Sequence, residues 1–201
     1  MPVVTTPRFI KYDAELSAFT VFMVEAHDKG SQPERKYTGE PYGIHPVAVA
    51  EVLYNHGIRG GGIERAMIFA ALGHDLFEDT DAKVLDVIRA GAPQEAIAII
   101  SACTDPKVVG NRAARKEAFN VQLQNASREA QTVKLADCIH NLSTLPKERG
   151  GYHYKYAKEK QDFVRSLDEV HANATAVSEN IERVYGSLRR ELLSIIDNIL
   201  D

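Results

Sequence analysis

Between Gly73 and Thr80 the chain reads Gly-His-Asp-Leu-Phe-Glu-Asp-Thr, so one histidine and three carboxylates fall within six residues at the end of an apolar segment. On an α-helix, residues four apart share a face, which sets His74 with Glu78 and Asp75 with Asp79. Two carboxylates about 4 Å apart repel by roughly 4 kcal/mol at an intermediate dielectric, tolerable on an open surface but not half-buried without a cation. A bound metal is the economical explanation. A divalent ion that keeps positions open for water or substrate takes imidazole and carboxylate ligands from several elements. Two further places supply them: His45, at the start of a helical pattern after a polar segment, and Asp137, set inside Val133-Lys134-Leu135-Ala136-Asp137-Cys138-Ile139-His140. An aspartate inside an apolar helix is costly unless paired or ligating, so the candidate metal ligands are His45, His74, Asp75 and Asp137.

The elements that must position these groups are helical. Apolar residues recur at spacings of three and four almost everywhere, with no sustained strand alternation, so the fold class is all-α. Leu16, Phe19, Phe22, Met23 and Ala26 mark a first helix, and the polar stretch from Asp28 to Pro41 is a long loop of the kind that carries function. His45 to His56 and Glu64 to Phe77 read as two helices, the second apolar nearly all round and hence central. Thr80 or Asp81 caps a helix that ends at Arg89 before Gly91, and Pro93 to Cys103 follows. Further helices span Arg112 to Gln124, Ser127 to Thr144, Tyr154 to Val170 and Ala174 to Leu200. The last carries a stripe of Val177, Ile181, Val184, Leu188, Leu192, Ile195 and Ile199 that packs on the body or on a second copy, as in a homodimer.

A length of 201 residues and a hydrophobic fraction of 44% fit one domain over the whole chain with a full core. The net charge of -4 argues against general binding of DNA or RNA. The amino terminus lacks the apolar stretch of a secretory signal, and no run approaches the ~18 apolar residues of a membrane span, so the expected location is cytoplasmic, away from membranes. Cys103 and Cys138 are isolated thiols, expected to be free.

The order His45, His74-Asp75, Asp137 resembles that of the HD superfamily of metal-dependent phosphohydrolases. The surrounding words narrow the likeness. Arg35-Lys36-Tyr37-Thr38-Gly39-Glu40-Pro41-Tyr42, His45-Pro46, His74 to Thr80, and Val133 to Asp137 with His140, Asn141 and Thr144 look like the hydrolase domain of the RelA/SpoT homologue family, over roughly residues 15 to 145. The resemblance implies a single HD-domain bundle of about eight to ten helices, with the helices of residues 152–201 packed on that core. Long members carry further domains that a chain this short does not hold, so the expectation is a stand-alone small alarmone hydrolase. Such an enzyme removes the 3′-pyrophosphate of (p)ppGpp and uses one Mn²⁺ ion, although the ligand set alone also admits Zn²⁺ or Fe²⁺. The alternatives are another phosphorylated nucleotide at the same site, (p)ppApp or NADPH, and a silent domain that binds an alarmone or a partner protein.

Residue roles follow from chemistry together with the resemblance. Glu78 and Asp79, one turn beyond the ligands, are the candidate pair that positions a water and takes its proton. Arg35 and Lys36 suit a substrate, because a guanidinium can lie on a purine face while an ammonium meets its edge or a phosphate; in the family this pair contacts the guanine nucleotide. Asn141 and Thr144 follow Asp137 by one and two helical turns and resemble the family's ribose and phosphate contacts. Arg112, Arg115 and Lys116 form a basic cluster suited to the 5′-phosphates. Two positions depart from the family: a basic residue is usual at Cys138 and frequent at Ser143. His140 reads as a residue behind the ligands or in the core. His27, His56, His153 and His171 read as surface or packing residues, and Tyr152, Tyr154 and Tyr156 as packing for the carboxyl-terminal helices.

Overall fold

A computed structural model describes residues 4–146, 150–167 and 177–201, and among these every regular element is a helix. His171 and the start of the expected last helix lie outside the described residues. In chain order the helices are α1 (Arg8–Lys11), α2 (Ala14–Asp28), α3 (Ile44–His56), α4 (Ile63–Gly73), α5 (Leu76–Asp79), α6 (Val84–Arg89), α7 (Gln94–Cys103), α8 (Arg112–Gln124), α9 (Arg128–Thr144), α10 (Gly150–Ser166) and α11 (Glu179–Leu200). Two of them, α1 and α5, are single turns of 4 residues.

The centre is built from α4 and α9. Every side chain of α4 from Ala66 to Leu72 is buried, as the all-round apolar pattern requires, and α3 and α7 pack on it. Helix α9 starts at Ser127, whose hydroxyl accepts a hydrogen bond from the Ala130 N–H, and then runs through the core with Val133, Leu135, Ala136, Cys138 and Leu142 buried. α3 ends on Gly57, whose φ of 113° is the left-handed conformation in which a side chain would be strained. The stripe of α11 is used within the chain: Ile181, Val184, Leu188 and Leu192 are buried where α11 packs on α9 and α10. Its carboxyl-terminal part rotates from the sequence expectation, with Ile196 buried and Ile195 and Ile199 only partly so.

Two boundaries differ from the sequence reading. The apolar helix expected to reach Phe77 stops at Gly73, and the chain turns through His74 and Asp75 before the single turn α5. The next helix begins at Val84, with Lys83 rather than Thr80 or Asp81 in the cap position; the Thr80 hydroxyl donates to the Leu76 carbonyl at 2.6 Å and accepts the Ala82 N–H at 3.1 Å, closing a turn before the helix. The segment between α2 and α3 has no helix but is firmly held. Arg35 donates its N–H to Glu40 at 2.7 Å, Tyr42 donates its N–H to Pro33 at 2.8 Å, and the Ser31 N–H and hydroxyl both reach the Asp79 carbonyl. A Cβ on Gly30 would stand 2.4 Å from that same carbonyl oxygen, so only glycine permits this approach of the loop to the His74–Thr80 run.

Candidate metal centre and adjoining cavity

Three helices that form the core deliver His45 (first turn of α3), His74-Asp75 (the turn after α4) and Asp137 (middle of α9) to one point. The ligand atoms of His45, His74 and Asp75 all lie within 4.8 Å of one another. Asp137 Oδ1 is 3.1 Å from His45 Nε2 and 3.6 Å from His74 Nε2, while Asp75 Oδ2 is 3.5 and 3.1 Å from the same nitrogens. Adjacent ligands of one divalent ion at about 2.1 Å stand about 3 Å apart, so these spacings are those of a ligand shell.

The imidazoles show what must sit between them. His74 Nδ1 lies 2.8 Å from the Ala71 carbonyl, an obligate acceptor, so Nδ1 donates and the neutral ring turns a bare Nε2 inward. That nitrogen faces His45 Nε2 at 3.2 Å. Two lone pairs at this distance require a cation or a proton between them. His45 Nδ1 is 2.7 Å from His140 Nδ1; when His45 ligates through Nε2, its Nδ1–H donates and His140 accepts. A neutral His140 fits that task, since burial, with the charges of His45 and Arg35, pulls its pKa down to about 3. His140 is thus placed to orient the His45 ring from behind.

Electrostatics point the same way. Burial opposes a charge on His74, yet Asp75 and Asp137 carry its pKa up to about 10, whereas burial holds His45 below its ordinary value. Burial would raise Asp137, but Lys134 and the two histidines hold it well below the carboxylate range. The Lys134 ammonium lies 2.9 Å from Asp137 Oδ2, and Asn141 Nδ2 donates to Oδ1 at 2.5 Å. Tyr42 donates its hydroxyl to Asp75 Oδ2 at 2.6 Å. Two imidazoles and two carboxylates, each steadied by such a partner, suit a divalent metal.

Glu78 and Asp79 flank this cluster on α5. Glu78 Oε1 accepts the Asp105 N–H at 2.5 Å. The residue keeps contact with solvent, but the desolvation of its carboxyl, opposed by Lys134 and reinforced by Asp75, pushes its pKa up to about 7. Asp79 is also raised, by burial first and then by Asp75, with the Tyr42 hydroxyl opposing.

A cavity of about 230 Å³ opens beside the cluster, between the loop that carries Arg35, Lys36 and Tyr37 and the wall formed by Asn141, Thr144 and Tyr156. Arg35 crosses it, donating to Asn141 Oδ1 at 2.9 Å and to the Thr144 hydroxyl at 3.1 Å. Asp137, Asn141 and Arg35 thus form one hydrogen-bonded chain from the metal ligands to the cavity. Arg112 and Lys116 lie elsewhere. With Lys107 and Arg115 they line a second cavity of about 420 Å³, and both pair with Glu159 of α10. Asp105 connects the two regions, since it lines this second cavity and holds Glu78.

Several contributors carry no sequence signal of their own. Tyr42 lies within a matching word but reaches Asp75 only in three dimensions, whereas Lys134 meets Asp137 one turn along α9. The Cys138 thiol is buried and faces the Lys160 ammonium of α10, so a cation does come to this point, from another helix. Tyr152 and Tyr156, expected to pack helices, both line the first cavity, and Tyr156 also packs against the core. Among the histidines, His27 is buried and stacks on the Tyr42 ring at 4.6 Å, His153 is buried, and His56 pairs with Glu191.

The family model described as HD domain matches residues 21–167. A protein of Mus musculus named guanosine-3′,5′-bis(diphosphate) 3′-pyrophosphohydrolase MESH1 is 32% identical over 120 residues, 60% of this chain and 64% of that protein. A probable guanosine-3′,5′-bis(diphosphate) 3′-pyrophosphohydrolase of Synechocystis sp. is 32% identical over 147 residues, 71% of this chain and 18% of that protein. The chain therefore spans less than two thirds of the length of either relative. A solved structure, that of a metazoan ortholog of SpoT described as hydrolyzing ppGpp, matches with a TM-score of 0.65 and 23% identity, over 92% of this chain and 97% of the other, and shows the same fold. No described helix is long and apolar enough to cross a membrane.

Proposed function

Because the chain belongs to the HD-domain family, whose model covers residues 21–167, we propose that it is a metal-dependent hydrolase that removes the 3′-pyrophosphate of (p)ppGpp. The products are GDP or GTP and pyrophosphate. The observation that carries this reading is the hydrogen-bonded chain from Asp137 through Asn141 to Arg35, which joins a four-ligand cluster to a cavity with a guanidinium across it. The names of the relatives support it as well.

His45, His74, Asp75 and Asp137 would hold the ion, with Mn²⁺ the proposed metal for a mixed nitrogen and oxygen shell. A divalent cation supplies Lewis acidity toward a phosphoryl oxygen and lowers the pKa of water. Glu78 takes a proton from the attacking water, whose oxygen forms the new P–O bond. The bond between phosphorus and the ribose 3′-oxygen breaks, and that oxygen leaves as a hydroxyl by taking up a proton from solvent, while Glu78 returns the one it received to solvent. Asp79, steadied by Tyr42, orients the water. Arg35 and Lys36 bind the nucleoside, and Asn141 and Thr144 bind ribose and phosphate once Arg35 turns from them to the substrate. Arg112 and Lys116, in the second cavity, are proposed for the 5′-phosphates. The cationic lining supports that role, with Lys107 and Arg115 beside them and Glu159 pairing with Arg112 and Lys116 from behind.

The test measures release of pyrophosphate or phosphate from ppGpp, ppApp and NADPH, with added Mn²⁺ and with chelator. The proposal expects chelator-sensitive pyrophosphate release from ppGpp. A clear preference for NADPH, or ppGpp binding that never leads to turnover, would overturn it.

A further inference from the structure

Glu78 sits on the single turn α5 and is exposed, so its own element fixes its carboxyl only weakly. What holds that carboxyl comes from the chain after α7, where the Asp105 N–H donates to Oε1 at 2.5 Å. An N–H points where its peptide plane directs it. Beyond Asp105 the chain runs out toward solvent, with Val108 39% exposed and Val109 fully exposed. The direction of this donor must therefore be set from the other side of the peptide.

That other side is the Thr104 carbonyl. The described residues contain no cis peptide bond, so the carbonyl and the N–H of the Thr104–Asp105 unit point in opposite directions. Gln122 of α8 donates its Nε2 to the Thr104 carbonyl at 2.8 Å and to the Ala102 carbonyl at 2.9 Å. Both partners can only accept, so the amide nitrogen, not its oxygen, faces them. The side chain is firmly rooted, because Phe119 and Leu123 on the same face of α8 are buried. The bond to Ala102 is the ordinary closure of a helix end, since the last carbonyls of α7 have no partner within the helix. The bond to Thr104 does more, because the same peptide unit continues to Glu78.

The geometry points to Gln122 as a positioning residue that aims the Glu78 carboxylate at the attacking water through the Thr104–Asp105 peptide. This rests on the nucleotide-hydrolase reading above, in which Glu78 takes the proton. A reacting group displaced by about 1 Å can cost about 10² in rate, so a donor that fixes an exposed base on a short turn acts on kcat. Nucleotide binding is left alone. Lys116 stands six residues earlier on α8, about 9 Å along the axis, and the first cavity is lined by other elements.

The experiment measures ppGpp hydrolysis with Mn²⁺ by the wild type, Gln122→Leu, Gln122→Lys, Glu78→Gln and the double variant of Gln122→Leu with Glu78→Gln. Gln122→Leu should lower kcat by about tenfold and leave KM within about twofold. Gln122→Lys, which returns a donor to the two carbonyls, should recover most of that loss. Without Glu78 there is nothing left to position, so adding Gln122→Leu to Glu78→Gln should change the residual turnover by less than about twofold. Wild-type kcat in Gln122→Leu, or the same tenfold loss with and without Glu78, overturns the assignment and leaves Gln122 as a cap of α7. Should the wild type hydrolyse no nucleotide, the hydrolase reading fails instead, and the positioning is judged by NMR of isotope-labelled protein. The Asp105 amide proton, bonded to a carboxylate, should then shift in Glu78→Gln and in Gln122→Leu alike. An Asp105 amide indifferent to Gln122→Leu overturns the positioning.

Discussion

The metal cluster and the cavity beside it are built in opposite ways. The cluster draws short side chains from three packed helices; His45, His74 and Asp137 are at most 3% exposed, and each is fixed by a second group. The cavity is walled by a loop and the first turns of α10, with long side chains such as Arg35, Lys36 and Tyr152 that keep contact with solvent. Catalytic geometry tolerates little error, and a packed core is the cheapest way to enforce it. Ligand recognition by stacking and mobile charges needs no such rigidity. Substitutions in the cluster should therefore reduce kcat, and those in the cavity should raise KM.

The largest effect is expected for Asp137→Ala, which removes a ligand and leaves Lys134 without its partner. Turnover should fall by about a thousandfold or more, together with measurable loss of bound metal by atomic absorption. Full activity in this variant would remove Asp137 from the ligand set. Next, Glu78→Gln should lower kcat by about 10² to 10⁴ while metal content and nucleotide binding persist. The pH dependence carries the same assignment. Glu78 accepts a proton only when ionised, and its pKa is raised to about 7, so kcat/KM should be lost as pH falls through that region. A profile flat from pH 6 to 8 would contradict the role.

A smaller effect, about 10- to 100-fold weaker metal affinity, is expected for His140→Ala, which takes away the group that orients His45. Titration with Mn²⁺ reads it; unchanged affinity would make His140 mere packing. The smallest is Arg35→Ala, with KM up about tenfold and kcat nearly kept, from the loss of a charged contact to the nucleotide. A collapse of kcat in this variant would erase the contrast between the two regions and tie Arg35 to the chemistry itself.

Legibility followed the same division. The candidate ligands stood out because an ionisable residue inside an apolar run, as at His74-Asp75 and Asp137, is an anomaly that local sequence exposes. Helix existence was readable from the 3.6-residue period, whereas the stop at Gly73 was hidden, since the apolar pattern runs on through Leu76 and Phe77 while the backbone turns to aim His74 and Asp75. Arg112 and Lys116 looked like part of one substrate surface; in space they face a separate cavity and Glu159. That Tyr152 and Tyr156 line the first cavity was not legible, because a tyrosine at helical spacing gives no sign of which face is covered.

By itself, then, the order of residues determined the all-helical class and nominated the four candidate ligands and the Glu78-Asp79 pair, because the class depends on periodicity and the candidates on ionisable groups that recur in family words. Tertiary structure alone decided that His140 stands behind His45, that Lys160 approaches Cys138, and that the tyrosines of α10 meet the loop after α2. Those relations join residues many helices apart. They are set by how α3 and α10 pack on α9 and by where the loop after α2 meets α10, and no local pattern encodes those distances.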